Sequence, residues 1–233
     1  MTKFQVLDKG FIDFLEKFGD ELTIANCARV SFGKMKTQMD DSDKRLIKYL
    51  LKHNHTSPFR HVFLRFHVKA PEFVMRQWYK HVVGIEWTSN SSAQLHGWNE
   101  ISGRYVALRD YYFPEHWRKQ SEDKKQGSDG LVSDQLAIHD KYASLIASVE
   151  SLYHDLIHFN VAKEQARIVL PLSIYTECIW TVSLQALLNF IRLRDADDAQ
   201  FEIREYAKVF TDILKTHFPT ALQEYNESSA DAS

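Results

Sequence analysis

The sequence predicts an α+β fold in which a mixed β-sheet is flanked by helices. Two apolar patterns occur along the 233 residues. In some segments every second residue is apolar, which is typical of a half-buried strand, and in others the apolar spacing is that of an amphipathic helix. These segments follow one another in mixed order without a regular βαβ series, which favours α+β over a parallel α/β sheet.

The composition is typical of a globular protein with a core, since 44% of the residues are hydrophobic and 26% are charged. The net charge of -2 does not favour binding to nucleic acid or to an anionic membrane. We find no apolar run long enough to span a bilayer. We expect one domain over residues 1–219, followed by a polar C-terminal tail over residues 220–233 that frays.

The N-terminal segments predict strands and helices in turn. Residues 3–7 predict a short strand, whereas residues 11–18 fit either a helix or a strand because the segment is short and bounded by glycine. Asp20 is predicted to cap a helix over residues 21–31, and Ser42 to cap the next helix.

The middle of the chain predicts one strand, one helix and two loops. Residues 61–70 alternate as in a strand, and Pro71 then suits the first turn of a helix. Residues 83–97 are rich in Ser, Thr, Asn and Gly and predict a loop, and the charged residues 118–130 predict a surface loop.

The C-terminal half predicts a long helix over residues 131–158, with Leu145 and Leu152 on one apolar face. Asn160 is predicted to cap a second helix that ends before Pro171.

The remaining segments predict a strand and two helices. Residues 173–182 predict the strand, and Ser183 is predicted to cap a helix that reaches Arg194. A final amphipathic helix is indicated by apolar residues spaced from Ile203 to Ile213.

Several polar residues suit a phosphate monoester. Arg76, Lys80 and Arg104 supply cations, while Ser102 offers a hydroxyl and Gly103 an accessible backbone N–H. The alternative is that the charged residues form ordinary surface ion pairs.

Polar residues near these cations suit a nucleoside. Gln77, Asn99 and Glu100 offer donors and acceptors for a base or a sugar. The sequence carries no GxGxxG and no GxxxxGK[ST] motif. The residues alone therefore indicate an anion site for a phosphorylated small molecule.

Four histidines lie close together in the sequence and raise the alternative of a zinc site. They are His53, His55, His61 and His67. No cysteine joins them and no HExxH motif is present, so we predict no metal site. The two cysteines, Cys27 and Cys178, form no CxxC pair, and we predict inert core residues in a protein of the reducing cytoplasm.

Several blocks taken together resemble the flavin-dependent thymidylate synthases. These blocks are HxHxSPFRHVFLRFHVKAPEFVMRQWYKH, NEISGRY, ARIVLPLSIYTECIWTVS and LLNFIRLRDADDAQFEI. The resemblance extends from Phe4 to His217, with one extra loop. It implies conversion of dUMP to dTMP, with methylene-tetrahydrofolate as carbon donor, FAD as cofactor and NADPH as reductant. It also implies a homotetramer whose active sites are shared between subunits.

The resemblance assigns roles to individual residues. It implies that Arg194 stabilises negative charge on the uracil ring as N3 loses its proton. Together with Arg194, the implied dUMP-binding residues are Gln77, Lys80, Ser102, Gly103, Arg104 and Arg167. The implied flavin-site residues are His55, Ser57, Lys80, His81, Glu100, Ser183, Gln185 and Asn189.

The sequence departs from the family signature mainly at flavin positions. Lys80, Val82 and Gln185 stand where the family has arginine, Asp198 stands where it has histidine, and residues 83–97 include the extra loop. Lysine cannot replace the bidentate contacts of arginine. Two alternatives therefore stay open: a dUMP hydroxymethylase of the same fold, and a non-catalytic nucleotide-binding protein that has lost flavin.

Overall fold

The computed structural model describes residues 2–81, 97–122 and 127–230. A five-stranded sheet with the order β1-β2-β3-β7-β4 forms the centre, and β5 pairs with β6 beside it. The strands are β1 Thr2–Val6, β2 Gly10–Phe18, β3 Phe63–Pro71, β4 Gly97–Glu100, β5 Arg118–Gln120, β6 Ser128–Leu131 and β7 Tyr175–Ser183. The predicted α+β class is confirmed.

Helices cover the sheet and extend to the C-terminal end of the described chain. They are α1 Glu21–Arg29, α2 Asp41–Lys52, α3 Glu72–Trp78, α4 Gln135–His158, α5 Lys163–Ala166, α6 Leu184–Arg194, α7 Phe201–His217 and α8 Pro219–Ala230. Short 3-10 turns occupy Val30–Phe32, Ser57–His61 and Arg167–Val169. In the described part of the chain, no helix has the length and apolar character needed to cross a membrane.

The prediction of a mixed sheet is wrong, because every neighbouring pair of described strands in the central sheet is antiparallel. Strand β7 inserts between β3 and β4 and runs opposite to both. The ambiguous residues 11–18 form a strand, since β2 pairs with β1 on one side and with β3 on the other.

The core lies between one face of the sheet and helices α3, α6 and α7. Phe66 on β3 and Trp180 on β7 are paired in the strand register, and both are fully buried. Trp78 of α3, Phe190 of α6 and Phe210 of α7 pack around them as tilted and edge-on ring pairs. Packing of this kind holds the ends of α3 and α6 in fixed relative positions.

Helix starts follow local capping chemistry. Asp20 caps α1 as predicted, and Ser183 caps α6 by accepting a hydrogen bond from Ala186 N at 3.2 Å. The prediction of Ser42 as a cap is wrong: Asp40 caps α2, because its carboxylate accepts from Ser42 N while Asp43 accepts from Asp40 N.

Asn160 does not cap a second helix. It has a φ of +60° and donates its N–H to Ile157 O, which ends α4. Asparagine tolerates this left-handed conformation, which suits the residue after a helix. The following helix α5 spans only Lys163–Ala166.

The structure describes one of the two predicted loops almost completely and the other only at its end. Within residues 118–130 the chain forms the antiparallel strands β5 and β6, so the prediction of a surface loop is wrong there. The antiparallel pairing supplies hydrogen bonds that the charged composition does not reveal. Of the predicted loop at 83–97, residues 83–96 lie outside the described residues, and Gly97 begins β4.

The prediction of a fraying C-terminal tail is wrong for the described residues, because Pro219–Ala230 form the packed helix α8. Ala221 and Leu222 are buried in the core. Glu21 of α1 accepts a hydrogen bond from Ala221 N at 2.9 Å, and Lys48 of α2 pairs with Glu224 at 2.9 Å. These partners lie far away in sequence, so the polar composition alone predicts fraying.

Candidate active site

The residues implied by sequence fall into two groups on different elements. The first group comprises Gln77 on α3, Lys80 and His81 just after α3, Ser183 at the end of β7, Gln185, Asn189 and Arg194 on α6, and His55 and Ser57 at the turn before β3. The second group comprises Glu100 at the end of β4, Ser102, Gly103 and Arg104 after β4, and Arg167 directly after α5.

The centre of the first group is a hydrogen bond between Arg194 and His81. Arg194 ends α6, and its Nε donates to Nε2 of His81 at 2.9 Å. His81 is 7% exposed and lies edge-on against Phe190. Burial, followed by the positive charge of Arg194, lowers the pKa of His81 to about 4. His81 is therefore a neutral acceptor that orients the guanidinium.

A cavity of about 540 Å³ opens beside this pair. Gln77 and Arg194 line it together with Arg192, Asp198 and Gln200. This volume is in the usual range for small-molecule sites. Gln77 donates its amide N–H to Gln200 Oε1, which fixes its orientation at the cavity.

The flavin-position residues of the first group have polar partners nearby. Arg60 Nε donates to Gln185 Oε1 at 2.7 Å, and Arg192 donates to Asn189 Oδ1 at 3.1 Å. The Ser183 hydroxyl is used to cap α6. The sequence analysis missed Arg60 and Arg192, although both lie within the blocks that carry the resemblance.

Their neighbours His55, Ser57 and Lys80 are all exposed. Their side chains are therefore free of the core and available to a ligand.

The second group presents cations to solvent. Ser102 Oγ accepts from the backbone N and from Nε of Arg104, both at 3.3 Å. Gly103 is buried, and a Cβ there would lie 3.6 Å from Arg167 Cδ, so the turn and Arg167 are adjacent. Within the described residues neither Arg104 nor Arg167 forms an ion pair, so both guanidinium groups are available to an anion.

Glu72 lies beside Glu100 of the second group, and the sequence analysis did not consider it. Burial, followed by the charge of Glu100 and a hydrogen bond to it, raises the pKa of Glu72 to about 6. Glu100 is held in turn by Thr176, whose hydroxyl donates to Oε1 at 2.7 Å. The only sequence signal was a glutamate between Pro71 and Phe73 in an otherwise apolar run.

In the ranges that the structure describes, no hydrogen bond or ion pair connects Arg194, Gln77 or His81 to Ser102, Arg104 or Arg167. The guanidinium oriented by histidine lies in the first group, and the exposed Arg104 and Arg167 lie in the second.

Three of the four histidines that raised the alternative of a zinc site contact other side chains. The described residues contain no group of three or more His, Cys, Asp and Glu side chains arranged for a metal ion. His67 pairs with Glu177 at 3.0 Å, while the rings of His53 and His55 lie against Tyr49.

Neither cysteine is activated as a nucleophile. Cys178 is buried, and burial raises the pKa of both Cys27 and Cys178. A raised pKa keeps a thiol protonated at neutral pH, when it is a weak nucleophile.

The buried neutral state of His81 predicts a specific loss of stability in acid. Its ordinary pKa of 6.5 falls to about 4 on folding, so the unfolded chain takes up the proton first as pH falls. The stability that the neutral His81 imidazole contributes is complete above pH 6.5. As pH falls towards 4 it is lost, at up to about 1.4 kcal/mol of unfolding free energy per pH unit. Urea unfolding at pH 7, 5 and 4 should show a smaller pH dependence for His81→Gln than for the wild type.

The matched control is His116→Gln, since His116 is 56% exposed at its side chain. This variant should keep the wild-type pH dependence. An unchanged pH dependence in His81→Gln would contradict the assignment of a buried neutral imidazole.

Comparisons with known proteins show which family the chain resembles along its length. Residues 13–220 match the model of the thymidylate synthase complementing protein family. The chain is 42% identical over 227 residues to a flavin-dependent thymidylate synthase of Thermus thermophilus, covering 95% of this chain and 77% of the relative. It is 39% identical to the flavin-dependent thymidylate synthase of Thermosipho africanus, covering 96% of this chain and 93% of the relative.

A solved structure shares the fold. It is a UMP/dUMP methylase from Streptomyces cacaoi bound with 5-bromo-dUMP, with a TM-score of 0.81 and 24% identity, covering 96% of this chain and 97% of that one. The family match and the two relatives extend over nearly the whole chain, so the chain belongs to the thymidylate synthase complementing protein family, that of the flavin-dependent thymidylate synthases.

Proposed function

We propose that this protein is a flavin-dependent thymidylate synthase, which converts dUMP to dTMP with methylene-tetrahydrofolate as carbon donor and reduced FAD as hydride donor. The observation that carries the proposal is the Arg194–His81 pair beside the cavity of about 540 Å³. The Nε of Arg194 donates to a neutral histidine and not to a carboxylate. The histidine therefore fixes the guanidinium without neutralising its charge, which stays available to a ligand. The names of the relatives support the same activity.

Arg194 would act on the uracil ring. When N3 loses its proton, negative charge spreads over the ring, and a fixed guanidinium stabilises that charge without reorganising. The electron-rich ring then accepts the one-carbon unit at C5. His81 stays neutral at working pH, so its role is to hold the guanidinium in place and not to transfer a proton.

Phosphate binding is assigned to the second group. The exposed guanidinium groups of Arg104 and Arg167, with Ser102 and the backbone at Gly103, suit the dianion of a nucleoside monophosphate. Gln77 would contact the base from the first group, where Gln200 already orients its amide. Lys80 adds an exposed positive charge.

The donor set of the first group fits FAD. Arg60, Ser57 and His55 supply donors for phosphate and ring oxygens, and Asn189 and Gln185 present amides at α6. Glu100, from the second group, and His81 complete the set on the dUMP side. When bound and reduced by NADPH, FAD would supply the hydride that completes the methyl group. The guanidinium group of Arg60 donates to Gln185, which stands where the family has an arginine, and Arg192 donates to Asn189.

The complete site would be assembled in a homotetramer, with the two groups supplied by different subunits. Exposed apolar side chains on and after α4 support assembly. Leu145 is 56% exposed, Leu152 47%, Phe159 74% and Ile168 76%. Exposed apolar patches of this kind mark interaction surfaces, and burying them would place one subunit against the next.

Product analysis tests this proposal. Purified protein with FAD, NADPH, methylene-tetrahydrofolate and dUMP should form dTMP, and chromatography separates dTMP from a 5-hydroxymethyl product. The Cys27→Ser, Cys178→Ser double variant should keep most of the turnover, because neither thiol is activated. It should lose some stability, since the hydroxyl group at position 178 would be buried without a partner.

The controls separate the outcomes. A flavin absorbance spectrum and calorimetric dUMP binding report whether each ligand is bound. Folded protein that binds dUMP and FAD but forms no dTMP would contradict the proposed function. Loss of all turnover in the folded double variant would point to cysteine catalysis instead.

A further inference from the structure

A chain of hydrogen bonds leads from a buried carboxylate to the wall of the Arg194 cavity. Glu202, in the first turn of α7, is 4% exposed. Its Oε2 accepts from Gln200 Nε2 at 3.0 Å, and Gln200 Oε1 in turn accepts from Gln77 Nε2. Gln77 and Gln200 both line the cavity. We call the side chains of Glu202, Gln200 and Gln77 the amide relay.

The other oxygen of Glu202 fixes the direction of the relay. Its Oε1 accepts from Arg118 at 2.7 Å and from the Tyr112 hydroxyl at 3.2 Å. Arg118 is itself held in place, since its Nε donates to Ser128 at 2.9 Å and its guanidinium lies 4.8 Å from the ring centre of Phe201. A carboxylate only accepts hydrogen bonds and a guanidinium only donates them, so this contact cannot reverse.

Each contact of the relay decides which way the next amide faces, because an amide has a donor side and an acceptor side. Glu202 can only accept, so Gln200 turns its NH2 group towards Glu202 and its oxygen towards Gln77. Gln77 must therefore turn its own NH2 group towards Gln200. The Gln77 oxygen stays available to a ligand, since no described residue donates to it.

We propose that Glu202 and Gln200 are positioning residues, which make Gln77 present an acceptor oxygen to a hydrogen-bond donor of the nucleotide. The nucleoside part of dUMP carries two such donors, the uracil N3–H and the 3′-hydroxyl of the sugar. A nucleotide with an acceptor at the same place would leave the Gln77 oxygen unpaired, which is unfavourable. The inference rests on the proposed function, which places the nucleoside of dUMP at Arg194 and Gln77.

Glu202→Gln should reverse the relay while almost keeping its shape. Arg118 and Tyr112 would retain the oxygen of the new amide, so its NH2 group would face Gln200. Gln200 and then Gln77 would turn over, and Gln77 would present an N–H to the donor of the nucleotide. We expect dUMP to bind about tenfold more weakly, measured by calorimetry on purified protein with FAD present.

Two analogues identify the donor and separate positioning from a structural role. dCMP has no proton on N3 at neutral pH, and 2′,3′-dideoxy-UMP has no 3′-hydroxyl. Glu202→Gln should not weaken binding of the analogue that lacks the donor read by Gln77, whereas it should weaken binding of the other analogue as much as that of dUMP. Equal weakening for all three ligands, or unchanged dUMP binding, would overturn the inference.

The matched control is Glu21→Gln, because Glu21 is also a buried glutamate whose carboxylate accepts a hydrogen bond, from Ala221 N at 2.9 Å. This contact joins α1 to α8, so the variant should leave the affinity for all three ligands unchanged. Circular dichroism checks that each variant is folded.

A second variant interrupts the relay without touching the buried carboxylate. In Gln200→Ala, Glu202 keeps its contacts with Arg118 and Tyr112. The Gln77 amide is then free to turn, so dUMP should bind a fewfold more weakly, with the same dependence on the two analogues. A loss that is equal for all three ligands would again assign a structural role.

Exchanging the two ends of the relay should restore its order. In the double variant Gln77→Glu, Glu202→Gln, the Gln200 amide can donate to the new carboxylate at position 77 and accept from the new amide at position 202. This variant should bind dUMP more tightly than Gln77→Glu alone. Binding that is no tighter than that of the single variant would contradict the relay.

Failure of this inference and failure of the proposed function give different results. Normal dTMP formation by the wild type, with equal effects of Glu202→Gln on all three ligands, would overturn the relay and leave the synthase. A selective effect of Glu202→Gln on nucleotide binding in a protein that forms no dTMP would support the relay and count against the synthase.

Discussion

Arg194→Ala should lose about 10²–10³-fold in turnover, since removing one preorganised group that stabilises transition-state charge typically has this effect. dUMP binding should survive in part, because we assign the phosphate to Arg104 and Arg167 and not to Arg194. Arg194→Lys should not restore full turnover. Lysine lacks the Nε–H group that donates to His81 Nε2 at 2.9 Å in the wild type. The charge of the lysine would therefore not be held at the position of the guanidinium.

The measurement is dTMP formation under saturating substrates, with dUMP affinity from calorimetry. Arg109→Ala is the matched control, because Arg109 is an exposed arginine outside both groups. Turnover by Arg194→Ala that equals the control would rule out electrostatic activation by this residue.

Mixing two inactive variants tests whether sites are shared between subunits. Arg194→Ala and Arg104→Ala damage different groups, and each should be nearly inactive alone. Co-expressed and assembled in the proposed tetramer, they should regain about one quarter of the wild-type sites, where both intact groups meet. No recovery in tetramers that contain both variants would place the whole site within one subunit.

Asp43→Asn should reduce the free energy of unfolding by about 3 kcal/mol, because it removes one partner of a buried ion network. The Asp43 side chain is fully buried and pairs with Arg29 and Lys36, and it accepts from Asp40 N at 2.8 Å. These contacts join α1 to the start of α2. Without the carboxylate, the mostly buried Arg29 loses its charged partner, and Lys36 keeps only its pair with Asp40.

Urea unfolding at neutral pH measures this loss. Asp41→Asn is the control: Asp41 lies two residues before Asp43, its side chain is 81% exposed, and its pair with Lys44 is a surface ion pair. That variant should change stability by less than about 0.5 kcal/mol. Equal effects of the two substitutions would contradict the assigned importance of the buried network.

Local patterns predicted much of the fold. The alternation in β3 and β7 placed Phe66 and Trp180 in the core, and the spacing in α7 placed Ile203 and Phe210 there. Such patterns succeed because side-chain direction follows from backbone period alone. The caps at Asp20 and Ser183 were predicted for a similar reason, since the bonding partner is only three residues away.

Several of the incorrect predictions concern partners that lie far apart in sequence. The polar residues after Pro219 form a helix because Glu21 and Lys48 meet them across the fold. The sequence of residues 11–18 fits a helix as well as a strand, and it is the pairing with β3 that makes it a strand. Strand order, and with it the antiparallel sheet, depends on where β7 inserts, which no local pattern records.

The sequence by itself determined the α+β class, the core faces of the main strands and helices, and the blocks that identify the family. Only the tertiary structure decided that Arg194 bonds to His81, that Glu72 lies beside Glu100, and that Glu202 orients Gln200 beside Gln77. The physical reason is the range of the interactions. Periodicity and capping act within a few residues, whereas burial, pKa and cavity shape depend on side chains that only packing brings together.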